Sequence, residues 1–186
     1  MRRVKTILAA LCLLMTMAVG AQAQGSIASS AQKSLYERLG GIDAIKAVIG
    51  EFAARVLADE RINKKFAKTD APRLTLHLVE QVCAATGGPC VYTGLSMKAS
   101  HKNMKVTEGE FGALVEDLVG ALDKFNVPAA EKNELLGILG PLKSAIVEVP
   151  GNATGTPLPP NFKPAKPLPK KRIDEGPKMK GSEKKM

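Results

Sequence analysis

From Ser34 to Val149 the apolar residues recur every three or four positions, and no stretch alternates with period two. Glycine pairs and prolines interrupt the runs at Gly40-Gly41, Gly87-Gly88-Pro89 and Pro128. This spacing confines the chain to an all-α fold of short helices with sharp corners. One stripe is Ile42, Ile45, Val48, Ile49, Phe52 and Val56. A second is Leu74, His77, Leu78 and Val82, behind Pro72 in a first turn. Ser96 to Met104 makes a short helix that carries Met97 and His101 one turn apart. Phe111, Leu114, Val115, Leu118, Leu122 and Phe125 form a third stripe. Leu135, Leu139, Leu142, Ile146 and Val149 form the last, with a kink expected at Gly140-Pro141. Ser34-x-x-Glu37 and Thr107-x-x-Glu110 read as capping boxes.

Only part of the 186 residues has the composition of a folded domain. Arg2, Arg3 and Lys5 precede an apolar run from Ile7 to Val19 and a small-residue site at Ala21-Gln22-Ala23. Residues 1–23 therefore read as a secretory signal peptide cut after Ala23, which implies a periplasmic or secreted protein. From Pro150 to Met186 the chain is rich in Pro, Gly and Lys and poor in core-forming residues. That composition predicts a disordered tail. The domain is then 32–149. The net charge of +9 belongs to the ends, because 24–149 carries fifteen basic and fifteen acidic residues. A neutral domain gives no support for nucleic-acid binding. The basic tail reads either as a solvated linker or as a tether to an anionic membrane, cell-wall polymer or acidic redox partner.

Cys83 and Cys90 remain once the signal is removed, and in an oxidising compartment so close a pair is a disulfide candidate. Its loop-closure contribution is about 2.5 kcal/mol. Their spacing is neither Cys-x-x-Cys nor Cys-x-x-Cys-His, so covalent haem attachment through thiols is not expected, and a zinc site with the histidines fits no known spacing. The chain has two histidines, His77 and His101, each on an apolar helical face. Paired histidines in a small helical domain point to axial ligation of a haem iron, since neutral imidazole suits iron. Two histidines and no glycine-rich phosphate loop leave no hydrolase triad or nucleotide site.

Several motifs together resemble one family. They are Leu35-Tyr36-Glu37-Arg38-Leu39-Gly40-Gly41, Phe52-x-x-Arg55-Val56-Leu57-Ala58-Asp59, Phe66, Gly87-Gly88, and Tyr92-x-Gly94-x-x-Met97-x-x-x-His101. They look like a group I truncated haemoglobin, from about Leu35 to Ile146. The resemblance implies a truncated, two-over-two globin fold holding haem b non-covalently. It implies His101 as the proximal iron ligand and Phe66 as the ring stacked on haem. Phe52, Leu74, Leu78, Tyr92 and Met97 fall on pocket-lining positions. His77 falls where some cyanobacterial members carry a second iron-binding histidine. Two positions depart from the pattern. Ala53 stands where a tyrosine is usual, and Leu78 where a glutamine is often found, so the usual distal hydrogen-bond network is missing.

His77 keeps three readings: a second iron ligand, a hydrogen-bond donor to a diatomic ligand, or a partly exposed residue near a haem carboxylate. The functions left open are correspondingly few. One is a ligand-binding globin for O2, NO or CO, a non-enzymatic carrier. Another is a bis-histidine protein for electron transfer or redox sensing. A third is NO or peroxide detoxification with an external reductant, and a fourth is a haem-free helical adaptor.

Overall fold

The computed structural model describes residues 33–181. The expected signal peptide with its cut after Ala23, and residues 182–186, lie outside the described residues. Among the described residues the secondary structure is helical, without a strand.

Helix α1, Leu35–Arg38, opens on the expected capping box, with Ser34 Oγ accepting from Glu37 N and Ser34 N donating to Glu37 Oε2 at 2.8 Å. Gly40, at φ +95°, turns the chain into α2, Gly41–Ala58. That helix buries Ile45, Val48, Ile49, Phe52 and Val56, the face its spacing predicts. A 3-10 turn over Asn63–Phe66 follows. Helix α3, Ala71–Ala85, is capped by the Asp70 carboxylate, which accepts from Arg73 N at 2.9 Å. Its buried residues are Leu76, Val79, Glu80, Val82 and Cys83. Leu74, His77 and Leu78, grouped by spacing as core, form a half-buried neighbouring face. They look into a cavity, which is why they share a stripe without being closed off.

Helix α4, Met97–His101, starts from Ser96. Helix α5, Glu108–Lys124, opens on the second capping box, and α6, Ala129–Leu139, follows Pro128. The kink expected at Gly140-Pro141 is a full break: a 3-10 turn over Gly140–Leu142 leads into α7, Lys143–Ile146. Helix α2 packs against both α3 and α5, and Leu135 of α6 closes the core over Leu118 and Leu122. Phe125, placed on the α5 stripe by spacing, is the cap residue of that helix and is 43% exposed. Cys83 and Cys90 are fully buried, with Cα atoms 5.7 Å apart and sulfurs within bonding distance.

The expectation of a disordered tail is corrected over residues 150–181, which lie along the domain and include a short helix α8, Lys170–Asp174. Composition suggested otherwise because the anchoring is polar and comes from two buried acids of the domain. Glu110 Oε1 accepts from Thr156 N and Oγ1 at 2.9 and 2.6 Å. Glu80 Oε1 accepts from Lys178 N at 3.1 Å and from the Arg172 guanidinium. Gly109 lets the segment approach closely: a Cβ there would clash with the Asn152 carbonyl oxygen. Phe162, the tail's single aromatic residue, packs on the cluster of Met104, Val106 and Ile146. Isolated bridges pair Thr107 with Val149 and Cys90 with Met179. The lysines at 163, 166, 170, 171, 178 and 180 are exposed, while Arg172 turns inward to Glu80.

Candidate functional site

A cavity of about 340 Å³ opens between α2, α3, the loop before α4, α4 itself and the C-terminal segment. That size falls within the roughly 300–1,000 Å³ of small-molecule sites. All eight residues singled out from sequence line it: Phe52, Phe66, Leu74, His77, Leu78, Tyr92, Met97 and His101. A second, adjoining cavity of about 190 Å³ shares Phe52, Leu78, Gln81, Met97, His101 and Leu114 with the first. Its other walls are mainly aliphatic, among them Ile49, Val82, Val115 and Leu118. Ala53 lines the larger cavity, and its methyl group leaves room that a tyrosine would fill.

Helix α4 is barely more than one turn, yet it fixes His101. The Nδ1–H donates to the Met97 carbonyl at 2.8 Å, one turn back. This bond sets the tautomer and leaves Nε2 with its lone pair. Burial pushes the imidazole below its usual pKa, against the opposing pull of the Met97 carbonyl and the Glu148 charge. The ring is therefore neutral at neutral pH, the form in which it can bind a metal. Sequence alone could not name the partner, because it is a backbone oxygen.

His77 is held differently. Its Nδ1 lies 3.3 Å from Glu80 Oε2 on the same helix, while Nε2 is buried without a hydrogen-bond partner. The Tyr92 ring meets it edge-on at 6.1 Å between centroids. The Tyr92 hydroxyl donates to the Leu95 carbonyl at 2.6 Å, so it offers no proton to the cavity. Burial raises Glu80, but hydrogen bonds from the Thr93 hydroxyl, the Lys178 and Thr93 amides and His77 outweigh it, and the carboxyl sits below its ordinary range. Glu80 is thus an ionised carboxylate with no solvent exposure.

Sequence reasoning missed Glu80, Gln81, Arg73 and four residues of the C-terminal segment. Glu80 carried a readable signal, since i and i+3 share a helix face. Gln81, whose amide lies 3.7 Å from Met97 Sδ, had none beyond its register. Arg73 at the rim was hidden in a polar first turn. Phe162, Lys163, Pro164 and Ala165 complete the wall from the segment read as disordered.

Comparison with known proteins places the fold in a family. A family model described as bacterial-like globin matches residues 34–148. A group 1 truncated hemoglobin of Mycolicibacterium paratuberculosis is 40% identical over 113 residues, which is 61% of this chain and 83% of that protein. The truncated hemoglobin of Tetrahymena pyriformis in its Fe(III) form superposes with a TM-score of 0.60 at 32% identity, covering 62% of this chain and 98% of the other. The 2/2 hemoglobin of Synechococcus, solved in the cyanomet state with covalently attached heme, gives 0.59 at 33% identity over 62% and 98%. With its helical fold and its two histidines on one cavity, this chain belongs to the bacterial-like globin family and is a group I truncated haemoglobin.

Proposed function

We propose that the chain holds haem b non-covalently in the 340 Å³ cavity and binds a diatomic molecule, O2, NO or CO, as a ligand-binding protein rather than an enzyme. The carrying observation is His101: a cavity-lining imidazole, kept neutral by burial, with Nδ1 committed to the Met97 carbonyl and Nε2 free. The residues present fit haem. The Nε2 of His77, a cavity-lining residue, is a buried polar atom without a hydrogen-bond partner. Arg73, Lys102 and Lys163 at the rim supply positive charge for the haem carboxylates. Phe52, Phe66 and Leu74 supply apolar walls that exclude water. Haem, when bound, supplies an iron able to take a diatomic ligand.

Non-covalent holding is the reading that the paired cysteines support. Both histidines lie on the cavity, and Cys83 and Cys90 pair with each other, so no thiol of the domain is left for attachment. We further propose that this pairing is a disulfide formed in the periplasm or outside the cell, after removal of residues 1–23.

A second reading has its own support. His77 Nε2 is buried and bare, so His77 and His101 would both be available to hold a haem iron, and the group would then serve electron transfer or redox sensing with a partner docked on the exposed tail lysines.

Absorption spectra of the mature protein titrated with haem test both. His101→Ala should weaken haem binding by at least tenfold, and unchanged binding overturns the assignment. If His77→Ala turns a low-spin spectrum high-spin, the second reading leads. If wild type is already five-coordinate and takes up CO readily, the first leads.

A further inference from the structure

We propose that Glu80 and Arg172 are positioning residues for His77: the C-terminal segment holds Glu80, and Glu80 fixes the His77 ring so that Nδ1 carries the proton and Nε2 is left for the cavity. The proposal deepens the haem-site reading and rests on it for its purpose, though its geometry stands without haem.

The two oxygens of Glu80 have separate duties. Oε2 accepts from Thr93 N at 3.0 Å and Thr93 Oγ1 at 2.6 Å, and meets His77 Nδ1 at 3.3 Å. Oε1 is served entirely by the C-terminal segment, through Lys178 N and the Arg172 guanidinium. Glu80 is completely buried, so its charge persists only because every lone pair is met and a cation is paired with it. Arg172 supplies that cation from 92 residues away in sequence.

Arg172 is itself anchored on both sides. One amino group donates to the Gly176 carbonyl, and the other also reaches Thr93 Oγ1 at 3.1 Å. The strand-like run beyond it is pinned by Val91 N to Lys178 O and Lys180 N to Pro89 O, both at 2.7 Å. These contacts flank Cys90, so the paired cysteines stiffen the loop against which the segment lies.

A carboxylate fixed at the back of a histidine selects its tautomer and orients the ring, as partners of metal-binding histidines do. Without the tail, Oε1 loses both donors inside the protein. The carboxylate then turns toward water or takes a proton, and His77 is free to exchange tautomers or rotate. The unpaired state of Nε2 is thus supported by a segment that lies outside the residues matched by the globin family model, 34–148.

The test uses the full mature chain. Long-range nitrogen–proton NMR of the imidazoles at pH 8 reads the His77 tautomer in the haem-free protein, and absorption and EPR spectra read spin state after haem is added. Wild type should show a proton on Nδ1 and a bare Nε2. Arg172→Gln, at a residue partly exposed at the surface, should give mixed tautomers with a retained fold; Arg172→Lys should restore part of the single form. In the haem-loaded protein the affinity of His77 for iron should fall by about tenfold in Arg172→Gln. Glu80→Gln should show the same pattern, and Arg172→Gln serves alone if that variant does not fold. A wild-type proton on Nε2, or an Arg172→Gln protein with the wild-type tautomer, overturns the proposal. Failure to bind haem would instead overturn the haem-site reading while leaving the tautomer result to stand.

Discussion

At the scale of single residues, each of the two cavity histidines commits Nδ1 to a partner on its own helix and leaves Nε2 without one. His101 uses the carbonyl one turn behind it, and His77 uses the acid one turn ahead. Asp117 on α5 shows the opposite case, a polar atom left over without a cavity to serve. Its Oδ2 is buried with no partner. Burial, then the Asp59 charge, push its carboxyl above the ordinary range, with Arg61 and Arg55 opposing. A raised acid binds more protons folded than unfolded, so it lowers stability as pH rises through its folded pKa, and the cost is complete above that value. Asp117→Asn should therefore raise Tm at pH 7 by about 2 °C, and the gain should shrink as pH falls toward the ordinary value of 3.8. A gain identical at both pH values, in thermal melts, would show that the charge is not the cause.

At the scale of elements, two glycines of α5 separate backbone entropy from close packing. Gly112 has open space around it, so Gly112→Ala should stabilise by about 0.5–1 kcal/mol. Gly109 sits under the Asn152 carbonyl, so Gly109→Ala should destabilise by about 1–3 kcal/mol through overpacking. Denaturant melts of the pair settle whether the segment is seated on α5, because equal gains would mean it is not. Most helices were legible from spacing, caps and breakers, since those are local signals. His101 and Met97 were legible as a pair one turn apart. The stripe at Leu74, His77 and Leu78 was legible as apolar but not as a cavity wall, because helical period reveals a shared face and not what lies opposite. Glu80 was legible only as a neighbour of His77 one turn away; its burial was not, because the Arg172 and Lys178 partners that allow it are distant in sequence.

At the scale of the whole molecule, residues 150–181 turn a domain that ends near Val149 into one with an outer strap. Composition could not reveal this, because polar anchoring leaves no hydrophobic signature. Deleting 150–186 should strip Glu80 Oε1 and Glu110 Oε1 of every partner at once. Loss of partners from buried charges costs about 3 kcal/mol, so the truncated protein should melt lower and release haem faster. Unchanged melting would mean the two acids find other partners. The Glu110 knot also includes Lys65, 3% exposed, whose ammonium lies 3.5 Å from Glu110 Oε2 and donates to the Met104 carbonyl at 2.9 Å. Between Thr156 and Arg172 the strap is held to the domain by Leu158 and Phe162, by Lys65 donating to the Pro157 carbonyl at 3.4 Å, and by Arg73 donating to the Lys166 carbonyl at 3.1 Å, with only the last of these beyond Phe162. The stretch that walls the cavity is thus the least tightly fastened part of the strap, with a firm anchor at each end. Fluctuations that lift it need break neither anchor, and such partial opening lies far below the free energy of unfolding. The cavity mouth can breathe at the rate of a loop while the domain beneath keeps the lifetime of a folded globule.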